Sequence, residues 1–299
     1  MRSKLGPVMA LVLAISVVLL SGCTDANLRK ARQYQSEKKY DQAIQYYKLA
    51  IEKDGGNRSA RYGLIETYSQ KIIDEGANKI TPEQVEQVMA ELRPIAQPLM
   101  SDPNIKRYIS MIYQMVAKRY AEEGRDDKVA EAWAKVIEIE PSFAEAHFNL
   151  GVALTKAGKI KEAIPHFEKA VELNPYFVKG YAAMGNGLAA LGRDDEAIKQ
   201  YTKALELNPD DPNIHHGMGI AYYQSGNKAK AIEEYEKALE LEPGYLYAYK
   251  SLHDLYKKAG DKKKLENIDK KWKEATATLI KARKEALAAE SPTKPSENL

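Results

Sequence analysis

The sequence is poor in the residues and motifs on which most catalysis depends. Its single cysteine, Cys23, cannot form a disulfide within the chain. No phosphate-binding loop of the form G-x-x-x-x-G-K-[ST] occurs, and no H-E-x-x-H, G-x-S-x-G or C-x-x-C motif. The sequence therefore gives no support for an enzyme, and we predict no catalytic residue, no cofactor and no metal ion.

An excess of charge of one sign is also lacking. The chain has 45 Lys and Arg against 42 Asp and Glu, a formal net charge of +3. A chain so close to neutral has no general electrostatic footprint for nucleic acid or for an anionic membrane. We therefore expect no nucleic acid partner. We also expect no small-molecule substrate.

Histidines are few, with five in the chain. His215 and His216 are adjacent, so on one helix they point to different faces, and no ligand set has the spacing that zinc requires. We interpret His147 and His215 as core or groove residues rather than metal ligands. The stretch 185–190 fits G-x-G-x-x-[GA], but it lies in a helical pattern and follows no strand, so we predict no dinucleotide site there.

One long apolar run is present, from Val8 to Leu20. It is 13 residues long, carries no charge and follows Arg2 and Lys4. A membrane-spanning helix needs about 20 apolar residues, whereas this length and charge pattern are typical of a signal peptide. An uncleaved anchor helix is the alternative.

The four residues Leu20-Ser21-Gly22-Cys23, directly behind that run, resemble the bacterial lipobox. The resemblance implies that a signal peptide, 1–22, is removed and that Cys23 carries a diacylglycerol and an acyl chain. In some Gram-negative bacteria Asp at the second mature position retains a lipoprotein at the inner membrane. Because Thr24 stands there, we favour the periplasmic side of the outer membrane over the inner membrane.

Several residue types recur every 34 positions. The series comprise Gly124, Gly158, Gly192, Gly226 and Gly260; Pro141, Pro175, Pro209 and Pro243; Gly151, Gly185 and Gly219; Ala163, Ala197 and Ala231; and Phe167, Tyr201 and Tyr235. A fixed period of this length indicates a repeat architecture. The pattern resembles the tetratricopeptide repeat, most closely over 144–177.

Each landmark of the repeat has a physical reason. Gly151 lets two helices approach closely, and Gly158 suits the left-handed residue that ends the first helix. Pro175 cannot continue the second helix and so ends it. The resemblance implies an all-α fold, a right-handed α-solenoid of helical hairpins with a C-terminal capping helix, because one hairpin cannot bury its apolar face alone.

The repeat register predicts the organisation of the chain. We assign 1–22 to the signal peptide, 23–57 to a first repeat, 58–109 to an irregular repeat with an insertion, 110–245 to four regular repeats, 246–290 to a terminal repeat-like unit and capping helix, and 291–299 to a disordered tail. In the terminal unit we expect a helix pair, with Leu265 and Trp272 in core positions, followed by a long Lys-rich and Ala-rich helix.

Two regions depart from the pattern. The first repeat has Ala31 and Lys38 at the two glycine positions. In 58–109, Thr81 begins a helix with capping-box spacing, and three prolines, Pro94, Pro98 and Pro103, are expected to break the helix that follows. Loop growth and a functional insertion both remain open there.

In tetratricopeptide arrays the first helices of the hairpins line a concave groove. The resemblance implies a partner-binding groove formed by Gln114, Lys118, Glu145, Phe148, Val152, Lys179, Asn186, Asn213, His216, Tyr223, Tyr247 and Lys250. This mixture of apolar, amide and charged groups suits an extended peptide or a partner helix. The family's clamp for chaperone C-termini is incomplete, since Ala182 and Asn186 stand where it needs Lys and Arg.

Together these patterns predict a lipid-anchored adaptor that brings proteins together in bacterial envelope assembly, such as the assembly of pilus, secretion or outer-membrane complexes. An adaptor that recruits or regulates peptidoglycan enzymes has the same features and remains the alternative. The expected partners are a protein or peptide in the groove and the membrane through the lipid on Cys23.

Overall fold

The computed structural model describes residues 25–75 and 81–290, which contain fourteen α-helices and no strand. The predicted all-α fold is therefore confirmed. The predicted signal peptide, Cys23 and the predicted tail 291–299 lie outside the described residues. The chain divides into two compact units, Met1–Pro141 and Ser142–Leu299.

The first unit contains six helices. They are α1 Ala26–Ser36, α2 Tyr40–Lys53, α3 Arg58–Glu75, α4 Pro82–Ala96, α5 Pro103–Glu122 and α6 Asp126–Ile139, with a short 3-10 turn at Gln97–Leu99. Helices α1 and α2 form one hairpin, and α5 and α6 form another. Between these hairpins, α3 packs against both α2 and α5, whereas α4 has looser contacts with α3 and α5.

The second unit contains eight helices in four hairpins. They are α7 Ala144–Lys156, α8 Ile160–Leu173, α9 Val178–Ala190, α10 Asp194–Leu207, α11 Pro212–Gln224, α12 Lys228–Leu241, α13 Leu246–Ala259 and α14 Lys262–Glu290. Each second helix packs against the first helix of the next hairpin, so the hairpins stack in chain order. None of the helices described in either unit is long and apolar enough to cross a membrane.

The turn within each regular hairpin has a residue in the left-handed conformation. Five glycines spaced by 34 residues, the first of them Gly124, have φ between 69 and 89°. In the first hairpin Lys38 takes this place with a φ of 56°. The backbone conformation of the turn is thus kept where the glycine is missing.

Close packing within a hairpin depends on a second glycine. A Cβ atom at Gly151 would lie 2.6 Å from the ring of Phe167. A Cβ atom at Gly185 would lie 2.8 Å from the ring of Tyr201, and one at Gly219 would lie 2.6 Å from the ring of Tyr235. Real Cβ atoms do not approach ring atoms this closely, so a larger residue would force the two helices apart.

Proline does not end every helix in which it was expected to do so. In the regular hairpins the second helix stops two residues before the repeat proline, as at Leu173 before Pro175. In the irregular repeat, Thr81 does form a capping box with Gln84, but α4 continues through Pro94 to Ala96. The predicted break at Pro94 is wrong. The proline removes one helix hydrogen bond, and the burial of Val85, Met89, Leu92 and Ala96 on one face of α4 offsets that cost.

The C-terminal helix α14 also differs from the prediction. We expected a helix pair followed by a separate long helix, but the second helix of the pair and the long helix are one continuous helix of 29 residues. Ile268 is buried in the core of the last hairpin, and Leu265 and Trp272 pack against it. From residue 277 to residue 287 every side chain is exposed.

Candidate functional site

The predicted groove residues of the second unit lie on the first helices of its four hairpins. Successive first helices α7, α9 and α11 contact one another, so their residues share one surface. On it, Glu145, Lys179, Asn186, Asn213, Tyr247 and Lys250 are exposed, and Phe148, Val152, His216 and Tyr223 are half-buried. We call this surface the groove face.

Gln114 and Lys118, the other two predicted residues, lie on α5 in the first unit. Lys118 is exposed, and Gln114 donates a hydrogen bond to the Ser110 hydroxyl at 3.2 Å. These two residues share one helix of the first unit.

An aromatic cluster forms the C-terminal end of the groove face. The His216 ring lies 5.5 Å from the rings of both Tyr235 and Tyr245 and 6.2 Å from the ring of Tyr247, between ring centres. Nε2 of His216 lies 3.0 Å from the Ser251 hydroxyl, and this contact connects α11 to α13. Burial lowers the pKa of His216, so the imidazole is neutral near pH 7 and can donate one hydrogen bond and accept another.

Tyr245 and Tyr247 form the outer part of this cluster, with ring centres 5.6 Å apart. The Tyr245 hydroxyl donates to Oδ1 of Asn213 at 3.0 Å, which fixes both side chains. Tyr247 remains 68% exposed. An exposed ring that its neighbours hold in place loses little entropy on binding, which is the property of an interface anchor.

Asn186 occupies the middle of the groove face on α9. Its Oδ1 accepts a hydrogen bond from the Tyr201 hydroxyl at 2.6 Å. Burial raises the pKa of Tyr201, so this hydroxyl stays protonated and donates. The bond orients the Asn186 amide and leaves its Nδ2 group to donate to a ligand.

The N-terminal end of the groove face has an apolar patch beside the exposed Glu145. Phe148 packs against Phe167 and Phe177, with ring centres 6.0 and 5.0 Å apart. At the other end, Lys258 donates to the Tyr223 hydroxyl at 3.1 Å and lies over its ring. The face thus runs from an apolar patch, through an amide, to an aromatic end.

The remaining histidines lie away from the groove face. His215 is buried, with Nδ1 2.7 Å from a Glu234 carboxylate oxygen and Nε2 2.9 Å from the Pro209 carbonyl. His147 stacks on His166 on the second helix of the same hairpin. As predicted, His215 and His216 point to different faces. No group of three potential metal ligands occurs in the described part of the chain.

Sequence reasoning missed two residues that contact His216 in the aromatic cluster, Tyr245 and Ser251. Tyr245 precedes α13 and Ser251 lies one residue beyond a repeat position that normally faces the groove, so the repeat register gave neither. The available signal was local, since two tyrosines flank Leu246 in the stretch that follows Pro243 and Gly244.

Comparisons with known proteins agree with the repeat. Family models described as tetratricopeptide repeats match residues 24–54, 144–177 and 212–245, and one described as a TPR repeat matches 185–226. No curated protein sequence matches the chain significantly.

Several solved structures share the fold. A crystal structure of MamA is 26% identical with a TM-score of 0.52, and the match covers 55% of this chain and 96% of that one. MamA from Desulfovibrio magneticus RS-1 is 20% identical with a TM-score of 0.53, covering 57% and 96% of the two chains. PilF from Pseudomonas aeruginosa is 22% identical with a TM-score of 0.51, covering 57% and 78%.

Proposed function

We propose that this chain, which contains tetratricopeptide repeats, is a lipid-anchored adaptor that holds a partner protein at a bacterial membrane surface. The observation that supports this most directly is the groove face, where exposed amide, cationic and aromatic side chains from four successive hairpins share one surface. Repeat arrays commonly bind their partners on such surfaces.

The groove face suits an extended peptide segment. An extended segment carries unpaired backbone N–H and C=O groups, and side-chain amides can pair with both. Asn186 provides such an amide in the middle of the face, and Tyr247 provides an exposed apolar surface at its C-terminal end. We propose that Asn186 donates to a partner carbonyl while the aromatic cluster packs against a partner side chain.

The anchor is supported by the sequence alone. The lipobox resemblance at Leu20-Ser21-Gly22-Cys23 would place lipid chains on the mature N-terminus. Each buried CH₂ group contributes about 0.8 kcal/mol, and two or more chains give stable attachment. We propose that the anchor limits the search for a partner to a surface, on the periplasmic side of the outer membrane, and that the partners belong to envelope assembly.

Capture of partners from detergent-solubilised membranes tests the adaptor function. The double variant Asn186→Ala/His216→Ala removes an amide donor and the centre of the aromatic cluster, and we expect capture to fall about tenfold or more. The matched control is Lys203→Ala/Lys237→Ala, which changes two exposed lysines on α10 and α12. Circular dichroism should show equal helicity in both variants.

Equal capture by both double variants would contradict binding on the groove face. The identity of the captured proteins tests the process. Pilus, secretion or outer-membrane assembly subunits would support envelope assembly, whereas peptidoglycan hydrolases would support the alternative adaptor.

A further inference from the structure

Two histidines in the first hairpin of the second unit face each other across the two helices. His147 lies near the start of α7 and His166 in the middle of α8, and their Nδ1 atoms are 3.5 Å apart. The rings are nearly parallel, with 28° between their planes and 5.8 Å between their centres. His147 is buried and His166 is half-buried, so solvent can reach the pair through His166. Because 19 residues separate the two histidines in the chain, sequence spacing did not indicate the pair.

A later hairpin has a different pair at the same repeat positions. His215 and Glu234 lie two repeats of 34 residues after His147 and His166, respectively. Nδ1 of His215 lies 2.7 Å from a carboxylate oxygen of Glu234, so a donor meets an acceptor. Two neutral imidazoles match less well, because a distance of 3.5 Å is at the limit of a hydrogen bond and only one of the two Nδ1 atoms can donate. Pairing for stability alone therefore favours the carboxylate over the second histidine.

The distance between the two histidine nitrogens suits a single metal ion. A tetrahedral zinc ion binds imidazole nitrogen at about 2.0–2.1 Å, which places two such nitrogens about 3.3 Å from each other. The observed separation of 3.5 Å is close to this value. Both side chains stand on helices that pack against each other, so little conformational entropy is lost when an ion binds. Imidazole is also the ligand that zinc and copper commonly have in proteins.

From this geometry we infer that His147 and His166 bind a divalent metal ion of the zinc or copper class, with Nδ1 of each residue as a ligand. Each Nε2 carries its ring proton in this arrangement, which leaves both Nδ1 lone pairs for the ion. Water completes the coordination, since in the part of the chain that the structure describes no third histidine, cysteine or carboxylate converges on the pair. Two protein ligands hold an ion less tightly than the four of a structural zinc site, so binding is reversible.

The ion would connect α7 and α8 beside a contact that belongs to the groove face. Phe148 and Phe167 directly follow the two histidines in the chain, and their ring centres lie 6.0 Å apart. A metal-bridged hairpin would hold the two helices at their close spacing and so stabilise the apolar patch of the groove face. The histidines themselves lie away from that face, so metal binding does not depend on the proposed adaptor function.

Isothermal titration calorimetry with ZnCl₂ on the full chain in detergent tests the inference. The protein is purified without a histidine tag and is freed of metal with a chelator. We expect one zinc ion per chain, and we expect His147→Gln and His166→Gln each to weaken its binding about tenfold or more. Glutamine keeps a polar side chain at each position, and circular dichroism checks that the variants fold. MgCl₂ at the same concentration should not bind, because Mg²⁺ prefers oxygen ligands.

The matched control is His253→Gln. His253 is also a half-buried histidine that contacts the second helix of its hairpin, where its Nδ1 lies 2.6 Å from Oδ1 of Asp269. We expect this variant to bind zinc as the parent does. Zinc should also raise the melting temperature of the parent and of His253→Gln but not that of His166→Gln, because the ion joins two helices only in the folded hairpin.

Three results would overturn the inference: unchanged zinc affinity in a folded His147→Gln or His166→Gln variant, an equal loss of affinity in His253→Gln, or no binding at millimolar zinc. His166 is half-buried, so its variant decides the outcome if replacement of the buried His147 prevents folding. Asn186→Ala/His216→Ala should keep the zinc affinity of the parent even where it loses partner capture. Failure of the metal site and failure of the groove face are therefore distinguishable.

Discussion

The turn of each hairpin shows how strongly a single residue's backbone conformation is imposed by the repeat. Lys38 adopts a φ of 56° where five other hairpins have glycine. A left-handed conformation costs a non-glycine residue about 1–2 kcal/mol. In the first hairpin, packing of the two helices against each other requires this conformation at the turn. The Lys38 side chain also pairs with Asp74 at 2.8 Å.

The contact between Gly151 and Phe167 leads to the first prediction. Gly151→Ala places a methyl group 2.6 Å from the Phe167 ring, so we expect the free energy of unfolding to fall by about 1–3 kcal/mol in urea titrations. Phe167→Leu should cost less stability in the Gly151→Ala background than in the parent chain, because the smaller side chain relieves the contact.

Gly158→Ala is the matched control for this prediction. An added Cβ at Gly158 meets no atom within 4 Å, but the φ of 78° imposes a backbone cost. Its destabilisation should therefore not change when Phe167 is replaced by Leu. Full stability of the Gly151→Ala variant would show that the hairpin tolerates wider helix spacing.

At the scale of helices, the regular hairpins were predictable and the irregular ones were not. The bounds of α7 to α13 follow from glycine and proline at fixed positions, because each acts within its own turn. Helix α4 passes through Pro94 and α8 through Pro165, because packing of the helix against its neighbours can offset the local cost of a proline. A cavity lined by Arg32 and Arg58 lies between α1 and α3, and it depends on how these two helices pack, which the local pattern of 58–109 does not determine.

Helix α14 combines a packed half and an exposed half, which gives the second prediction. The side chains of α14 from residue 282 to residue 287 are exposed, so the free energy of unfolding of a chain ending at Lys281, followed by circular dichroism, should stay within about 0.5 kcal/mol of that of the parent. A chain ending at Lys271 also loses Trp272, which packs against the last core cluster and contacts the His253 ring at 5.9 Å. We expect it to lose about 2 kcal/mol or more.

Trp272→Ala in the full chain distinguishes loss of packing from loss of helix length. It should reproduce most of the destabilisation of the chain that ends at Lys271. If the chain ending at Lys281 were equally destabilised, the exposed half of α14 would have a structural role that its exposure does not indicate.

At the scale of the whole molecule, the chain combines a predicted anchor with binding surfaces on helices. The net charge of the whole chain, +3, is near neutral and gives the chain little general electrostatic affinity for an anionic surface. The proposed membrane attachment would therefore depend on the lipid that Cys23 is predicted to carry, and the proposed partner binding would depend on surfaces that contain no residue of the leader. The two properties should be separable by mutation.

Cys23→Ser tests this separation. The thiol that would carry the lipid is absent in this variant, so we expect an unprocessed precursor and no labelling by a fatty-acid probe, while purified protein captures the partner in detergent as well as the parent does. Asn186→Ala/His216→Ala should show the opposite behaviour, with normal labelling and weak capture. Unchanged labelling of Cys23→Ser would contradict the lipid anchor. Loss of capture in detergent by Cys23→Ser would instead mean that the lipid contributes to the binding surface, because the substitution leaves the helices of both units unaltered.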